Sequence, residues 1–363
     1  MEDLKNSTFN RILVVKLSAM GDNIMATPVA RGLRDLYPNA VIDWLVEPLS
    51  ADILRGNPFL DNVLVWDRKH SRNVPGLRGL IAFRRDLGEL RQRIHGHYDL
   101  ALDLQGLARS ALAMAASGAP VRVGETERRE CSDRFLTHKW KIEDRNRRTA
   151  AQYADILRIF GHPNPPMTME IFPSDENRAQ ADNLLGGAEL SQGGIVSIAA
   201  ATTRPYKHWT DAAFADTLDK LDEKFGLRGV IHGGPADQAM GQRITALCRR
   251  AKPLIIAGQT TLRDACEVIR RSRLFVGVDT GLSHAAIAMK TPTIFIYGPN
   301  NPARLLHEPG VAVLQRVAPR ERSRLASRRS WWDDRSIDQN TPDDVLAAAT
   351  QLLRSVSRET AAP

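Results

Sequence analysis

A junction in the second half of the chain has residue types suited to binding an anion. Five mostly apolar, β-favouring residues (274–278) are followed by Asp279, Thr280 and Gly281, and an Ala-rich run begins at Ser283. This order predicts a buried parallel strand, a tight turn and the first turn of a helix. Such a junction leaves backbone N–H groups unpaired where a phosphate can sit, and Gly281 permits a ligand to approach closely.

The same residues also have a purely structural interpretation. Asp279 or Ser283 can be a helix N-cap, and His284, in the opening turn of the helix, can be a packed histidine. Both interpretations stay open at this point.

A second junction follows the β-rich run 11–17, where Ser18 and Gly21 precede Asp22. The functional interpretation of Asp22 is a general base that takes a proton from an acceptor hydroxyl, and the alternative is an ordinary N-cap. A base needs its pKa raised by burial, whereas a helix N-terminus lowers the pKa of a carboxyl group.

Polar residues also follow the first predicted strand of the second half. The hydroxyls of Thr202 and Thr203 and the mobile charge of Lys207 suit a diphosphate whose charge grows as it leaves. The alternative is a loop with surface charge. Asp237, after a Gly-Gly pair, suits ribose hydroxyls or a helix N-cap equally well.

Several classes of protein lose support. Gly-x-x-x-x-Gly-Lys is absent, and Gly-x-Gly-x-x-Gly does not follow the first strand, which argues against P-loop NTPases and hydride-transfer enzymes. The 3 cysteines form neither a disulfide framework nor a metal-ligand pattern and suit a reducing cytoplasm. We expect neither a secretory signal nor a membrane-spanning helix.

The net charge of +8 favours an anionic partner. Eight basic residues lie between 68 and 93, against Asp86 and Glu89, and a second basic cluster covers 316–335. Such clusters are often solvated faces, and the candidate partners are a nucleotide-sugar, a phosphorylated lipid at a membrane surface, or nucleic acid. No aromatic interleaving or recognition module favours nucleic acid.

Strands alternate with helices through both halves, which predicts an α/β protein with two open parallel-sheet domains and a cleft between them. The Pro/Gly-rich segment 161–166 is the best linker candidate. Ligands of such sheets bind beyond the carboxyl ends of the strands.

Four separated stretches, in this order, resemble the bacterial ADP-heptose:lipopolysaccharide heptosyltransferases of glycosyltransferase family 9. They are Val-Val-Lys-Leu-Ser-Ala-Met-Gly-Asp (14–22), Asp-Leu-Ala-Leu-Asp-Leu-Gln-Gly-Leu-Ala-Arg-Ser (99–110), Ala-Thr-Thr-Arg-Pro-Tyr-Lys-His-Trp (201–209), and Val-Gly-Val-Asp-Thr-Gly-Leu-Ser-His (276–284) with Tyr-Gly-Pro (297–299). The third is most like the heptosyltransferase I members.

The resemblance implies a GT-B fold, in which two Rossmann-like domains face each other across a cleft. Residues 1–170 would form the acceptor-binding domain and 171–340 the nucleotide-sugar-binding domain, with a C-terminal helix at 341–363 crossing back to the first. It further implies a cytoplasmic enzyme, peripheral to the inner membrane, that transfers heptose with inversion from ADP-L-glycero-D-manno-heptose to the Kdo region of lipopolysaccharide. No metal, cofactor or nucleic acid would take part.

The resemblance also implies roles for individual residues. Asp22 would be the base, and Lys207 would stabilise the leaving group. The donor-binding residues would be Thr202, Thr203, Lys207, Asp237, Asp279, Thr280, Gly281 and His284. The acceptor-binding residues would be Ser18, Gly21, Arg68, Lys69, Arg122 and Arg129.

The sequence departs from the family's pattern in two places. The segment 316–336 lacks the cysteines that some members carry, and Asn-Asn-Pro (300–302) replaces the commoner Thr-Asp-Pro. The alternatives are therefore a family member that uses another nucleotide-sugar or core acceptor, and a non-catalytic nucleotide-binding protein.

Overall fold

The chain divides into two compact units, residues 1–172 (unit 1) and 173–363 (unit 2), in a computed structural model. The structure describes residues 4–126, 130–142, 144, 147–186, 194–299, 302, 308, 310–317 and 333–359. The division falls two residues beyond the predicted boundary at 170. The acceptor and donor roles of the two domains and their placement across a cleft stay predictions.

Unit 1 contains one six-stranded parallel sheet. Its strands are β1 (Arg11–Val15), β2 (Val41–Val46), β3 (Asn62–Val65), β4 (Leu100–Asp103), β5 (Val121–Glu125) and β6 (His138–Trp140). Its helices are α1 (Met20–Leu36), α2 (Pro48–Leu54), α3 (Gly76–Ile94), α4 (Ala108–Ala116) and α5 (Thr149–Ala154).

Unit 2 contains a second six-stranded parallel sheet. Its strands are β7 (Ile195–Ala199), β8 (Arg228–Ile231), β9 (Leu254–Ile255), β10 (Leu274–Val278), β11 (Thr293–Ile296) and β12 (Val311–Leu314). Its helices are α6 (Asp175–Leu185), α7 (Asp211–Phe225), α8 (Gln238–Leu247), α9 (Leu262–Arg271), α10 (Gly281–Ala288) and α11 (Pro342–Glu359).

Both sheets have the same strand order. In unit 1 it is β3-β2-β1-β4-β5-β6, and in unit 2 it is β9-β8-β7-β10-β11-β12, so each is a Rossmann sheet of order 3-2-1-4-5-6. The order reverses between β1 and β4 in one unit and between β7 and β10 in the other. The predicted α/β class with two Rossmann-like parallel sheets is therefore confirmed.

The central strands are buried because helices cover both sheet faces, which is why they read as continuous apolar runs. All five residues of β7 and of β10 are buried, and in β1 only Arg11 is exposed. In unit 2, Val345 and Ala349 of α11 join the core formed by β7, β10 and β11. The predicted crossing of this helix onto the first domain stays a prediction.

Among the described residues, no helix combines the length and the apolar character that crossing a bilayer would demand.

Candidate active site

The predicted site residues follow the two pairs of strands at which the strand order reverses. In unit 1, Ser18 and Asp22 follow β1; in unit 2, Thr202 and Lys207 follow β7, and Asp279 follows β10. Crevices beyond the carboxyl ends of strands at such switch points are where open α/β sheets bind ligands. Each unit therefore has its own candidate site.

In unit 2, Lys207 and Asp279 form an ion pair across the switch point. The Nζ atom of Lys207 lies 2.5 Å from Oδ2 of Asp279, and both side chains are about one-fifth exposed. Nε2 of His284 lies 3.8 Å from Oδ1 of the same carboxylate. Burial alone would raise the pKa of Asp279, but His284 and the Lys207 ammonium hold that pKa well below its usual range.

The turn after β10 leaves the N-terminus of α10 open. Thr280 is the N-cap residue, and within the described part of the chain its side chain makes no capping hydrogen bond. The Ser283 hydroxyl donates instead to the Val278 carbonyl, at 2.6 Å. Neither Asp279 nor Ser283 is thus the N-cap. The first turn of α10 begins at Gly281, and the N–H groups of a first helical turn are the ones that bind anions.

His284 is buried rather than on the surface. Its side chain is 7% exposed, and its ring lies 5.5 Å from that of Phe295. Among the described residues, its Nδ1 atom has no hydrogen-bond partner. The ring therefore supports Asp279 through Nε2.

The other predicted donor-binding residues differ in their burial and in their hydrogen bonds. Thr202 is half-buried and its hydroxyl accepts the Arg204 N–H at 3.4 Å, whereas Thr203 is exposed. Asp237 accepts the N–H of Gly234 at 2.8 Å through Oδ2, which favours the local structural interpretation of this carboxylate.

In unit 1, Asp22 is the third residue of α1, whose N-cap is Ala19. It is therefore not the N-cap itself, and its side chain is 33% exposed. The Nζ atom of Lys16 lies 3.7 Å from Oδ2 of Asp22. Gly21 precedes Asp22 in the same helical turn.

Lys16 is a buried cation that the sequence interpretation did not assign. Its side chain is 3% exposed, and its ammonium donates to the Ser18 carbonyl at 3.0 Å and to Oε1 of Gln105 at 3.3 Å. The same ammonium lies 5.4 Å from the ring centroid of Tyr153. The sequence does contain a signal for Lys16: it is a single lysine in an apolar run that is predicted to be buried, and a buried charge needs partners.

Gln105 is positioned by the turn that follows β4. The buried carboxylate of Asp103 accepts the N–H of Gln105 at 2.9 Å and the N–H of Gly106 at 3.0 Å. Burial raises the pKa of Asp103, and these hydrogen bonds partly oppose that shift. Gln105 then accepts the Ser18 N–H at 3.1 Å, which ties the two turns together.

Arginines border this site. Arg109 donates to the Ser18 hydroxyl at 2.8 Å and lies 3.8 Å from the Glu47 carboxylate. Arg68 also pairs with Glu47, at 2.9 Å, and Lys69 is exposed. The structure thus brings Ser18 and Arg68 into one network through two residues, Arg109 and Glu47, that sequence reasoning missed.

Arg122 is not part of this network. It is the second residue of β5, and its guanidinium donates to the carbonyls of Phe135 at 2.8 Å and Ala119 at 2.7 Å. These bonds favour a structural role. Arg129 lies outside the described residues.

Among the described residues, one group has the composition of a metal site. Ligand atoms of His70, Asp86 and Glu89 lie within 4.8 Å of one another. Asp86, however, accepts the N–H groups of His70 at 3.2 Å and Ser71 at 2.9 Å. Asp86 therefore has the geometry of a carboxylate that binds the loop at His70 and Ser71 to α3.

The chain is similar to known glycosyltransferases. Residues 87–319 match glycosyltransferase family 9 (heptosyltransferase). The chain is 26% identical over 301 residues to lipopolysaccharide heptosyltransferase 1 of Salmonella typhimurium, covering 80% of this chain and 89% of that protein.

Two solved structures share the fold. A family 9 glycosyltransferase from Veillonella parvula has a TM-score of 0.83 at 22% identity, covering 96% of this chain and 99% of its own. The E. coli heptosyltransferase WaaC with ADP-2-deoxy-2-fluoro heptose has a TM-score of 0.72 at 22% identity, covering 94% and 99%.

Two Rossmann sheets and the likeness to these structures define a GT-B fold, and the family match defines a glycosyltransferase. The chain belongs to glycosyltransferase family 9, the heptosyltransferase family. The resemblance stated from the sequence motifs is confirmed.

Proposed function

We propose that this enzyme transfers heptose from ADP-L-glycero-D-manno-heptose to the Kdo region of the lipopolysaccharide inner core. In this proposal unit 2 binds the donor and unit 1 binds the acceptor. The enzyme works in the cytoplasm, at the inner face of the inner membrane. The heptosyltransferase family and the likeness to lipopolysaccharide heptosyltransferase 1 support the donor and acceptor classes.

One observation carries the donor half of the proposal: the ammonium of Lys207 lies beside the open N-terminus of α10. A diphosphate placed there meets a mobile positive charge and the N–H groups of the first helical turn, both of which bind anions. Asp279 holds Lys207 in place of a phosphate. Since the Lys207 side chain is one-fifth exposed and pairs with one carboxylate, a bound donor can take the place of Asp279.

The reaction is a single displacement. The acceptor hydroxyl oxygen bonds to the anomeric carbon of the heptose while the bond from that carbon to the β-phosphate oxygen of ADP breaks. Asp22 takes the hydroxyl proton, and ADP departs with the bonding electron pair. Attack on the face opposite ADP inverts the anomeric configuration.

Charge on the departing diphosphate is stabilised by Lys207 and by the N–H groups at the start of α10. Groups fixed where charge develops are worth roughly 10²–10³ in rate each. Because these protein groups supply positive charge at the leaving oxygen, we propose a reaction that needs no metal ion. Thr202 and Thr203 would add hydrogen bonds to the same diphosphate.

The acceptor is anionic, and unit 1 offers cations around Asp22. Arg68, Lys69 and Arg109 would meet its carboxylates and phosphates, because a guanidinium binds such groups in a bidentate manner. Ser18 and Gly21 would line the approach to Asp22. Lys16 would keep the carboxylate of Asp22 oriented toward the acceptor.

The test is a transfer assay with purified protein, a delipidated Kdo-containing acceptor and a panel of ADP-, GDP- and UDP-sugars. We expect product with ADP-heptose alone, an inverted anomeric linkage by NMR, and full activity in EDTA. Product from another donor would replace the donor assignment with that sugar. Nucleotide binding without any product would favour the non-catalytic nucleotide-binding alternative.

A further inference from the structure

The outward side of α3 exposes apolar side chains that the fold does not use. Six large apolar side chains are exposed among the described residues, and four of them lie between 74 and 81. Leu77 is 73% exposed and Ile81 is 61% exposed, which is far more than a helix normally leaves in water for its leucines and isoleucines. We define the α3 surface as Val74, Leu77, Arg78, Leu80, Ile81 and Arg84.

These residues share one side of the helix. At 3.6 residues per turn, Leu77, Ile81 and Arg84 lie one above another. The opposite side of α3 is the one that packs on unit 1, where Leu90 and Ile94 are buried. The apolar side chains are thus directed away from the core of their own unit.

The α3 surface is held in shape by the rest of the unit. Asp86, on the buried side, accepts the Ser71 hydroxyl at 2.5 Å as well as the backbone N–H groups of His70 and Ser71. Val74 packs so closely on Gly79 that a Cβ there would lie 2.0 Å from the Val74 carbonyl oxygen. The loop before α3 is therefore fixed on the helix, and its Val74 extends the exposed apolar face.

Positive charge accompanies the apolar face. Arg78 and Arg84 are both exposed, and within the described part of the chain neither forms an ion pair. Aliphatic side chains flanked by unpaired guanidinium groups match the boundary of an anionic bilayer, where the former enter the acyl region and the latter meet phosphates. Nucleic acid would use the arginines but would leave Leu77, Leu80 and Ile81 in water.

We propose that the α3 surface docks the enzyme on an anionic membrane surface. This inference rests on the proposed function, to which it adds the surface that makes the membrane contact. No residue of the α3 surface is among the predicted donor-binding or acceptor-binding residues. Membrane binding and sugar transfer can therefore fail separately.

The experiment is co-sedimentation of the full chain with vesicles of equal parts phosphatidylglycerol and phosphatidylcholine, compared with phosphatidylcholine alone. We expect binding only to the anionic vesicles, with weakening at high salt. The variant Leu77→Ser/Leu80→Ser/Ile81→Ser should lower the partition coefficient by at least about tenfold, because buried methylenes drive insertion. Arg78→Ser/Arg84→Ser should lower it about 25-fold, because each arginine contributes about fivefold.

A matched control is Leu247→Ser/Lys252→Ser, which removes an exposed leucine and an exposed lysine from unit 2. This control should bind vesicles as the unchanged chain does, and all variants should transfer heptose to a delipidated acceptor at the same rate. Circular dichroism checks that each is folded.

Equal binding of the α3 variants and the unchanged chain to anionic vesicles would overturn the proposal. So would a dimer that the unchanged chain forms in light scattering and the leucine variant loses, without any vesicle binding, because the occupant would then be a second copy. Absence of transfer activity with vesicle binding intact would overturn the proposed function alone.

Discussion

The two units have the same strand order but differ in which part of the chain supplies the lysine at the switch point. In unit 1 the lysine directly follows the first strand: Lys16 is buried, donates to a carbonyl and an amide oxygen, and lies beside an aromatic ring. In unit 2 the first strand, β7, carries no charged residue, and Lys207 comes from the following loop to meet Asp279.

This difference separates a fixed charge from an exchangeable one. Several partners surround Lys16, so it is a permanent neighbour of Asp22 at 3.7 Å. Lys207 is one-fifth exposed and pairs with one carboxylate, which suits a cation that must turn to a diphosphate and follow it as it leaves. In our proposal the switch point of unit 1 therefore holds a positioned base, and the switch point of unit 2 holds an anion.

The Asp22→Asn substitution tests the proposed role of unit 1 and has the largest expected effect. We expect loss of turnover by 10²–10⁴-fold, typical of a removed general base, while ADP binding by calorimetry stays unchanged. Asp52→Asn, on α2, is the control and should keep full activity. Weakened ADP binding with turnover preserved would move Asp22 to the donor site.

Lys207→Met tests the exchangeable charge. Turnover should fall about 10²–10³-fold, and ADP should bind more weakly, because both the ground state and the leaving group lose a positive partner. The measurement is kcat together with the dissociation constant of ADP, with Lys252→Met as a control. Unchanged ADP affinity would contradict the donor role of unit 2.

Arg68→Gln should have a smaller effect, confined to the acceptor. We expect the KM for the acceptor to rise about tenfold with kcat and ADP affinity unchanged, since one charge-assisted contact is lost. Arg122→Gln is the informative comparison, because its guanidinium is bound to backbone carbonyls. It should lower the melting temperature instead; an equal rise in KM for both variants would restore Arg122 to the acceptor site.

A smaller difference between the units concerns acid stability. His232 of unit 2 is buried, and burial lowers its pKa from 6.5 to about 3, whereas no histidine that the structure describes in unit 1 is buried. The folded state keeps His232 neutral while the unfolded chain takes up a proton below pH 6.5, so stability falls as the pH falls toward 3.

Near pH 5 this linkage is worth about 2 kcal/mol. Hydrogen exchange should show unit 2 losing protection before unit 1 between pH 6.5 and 5, and His232→Asn should flatten that dependence. An unchanged pH dependence in the variant would show that other groups cause it.

The central strands could be predicted from the sequence because a strand that is buried on both faces consists of a continuous run of apolar residues. β10 was predicted with its observed bounds of 274–278. The elements that the sequence did not predict include the half-buried edge strand β12, the three-residue β6, and α6, which buries only three of its residues. Their apolar signal is weak because little of each faces a core.

For the site, the sequence identified which turns carry chemistry but not the partners inside them. Asp279 and Lys207 were both chosen, yet nothing in a separation of 72 residues indicates that they pair. The Glu47 carboxylate, shared by Arg68 and Arg109, could not be found because it depends on three different strand ends meeting at one sheet edge. The exposure of Leu77 could not be predicted either. The positions of the apolar residues along α3 do not indicate which turn of the helix packs on the core.

The most direct test of the account is a crystal structure of the Asp22→Asn variant with intact ADP-heptose bound. We predict the diphosphate at the N-terminus of α10, with Nζ of Lys207 moved from Asp279 to a β-phosphate oxygen. A diphosphate bound instead among Lys16, Arg68 and Arg109 of unit 1 would contradict the assignment of the donor to unit 2.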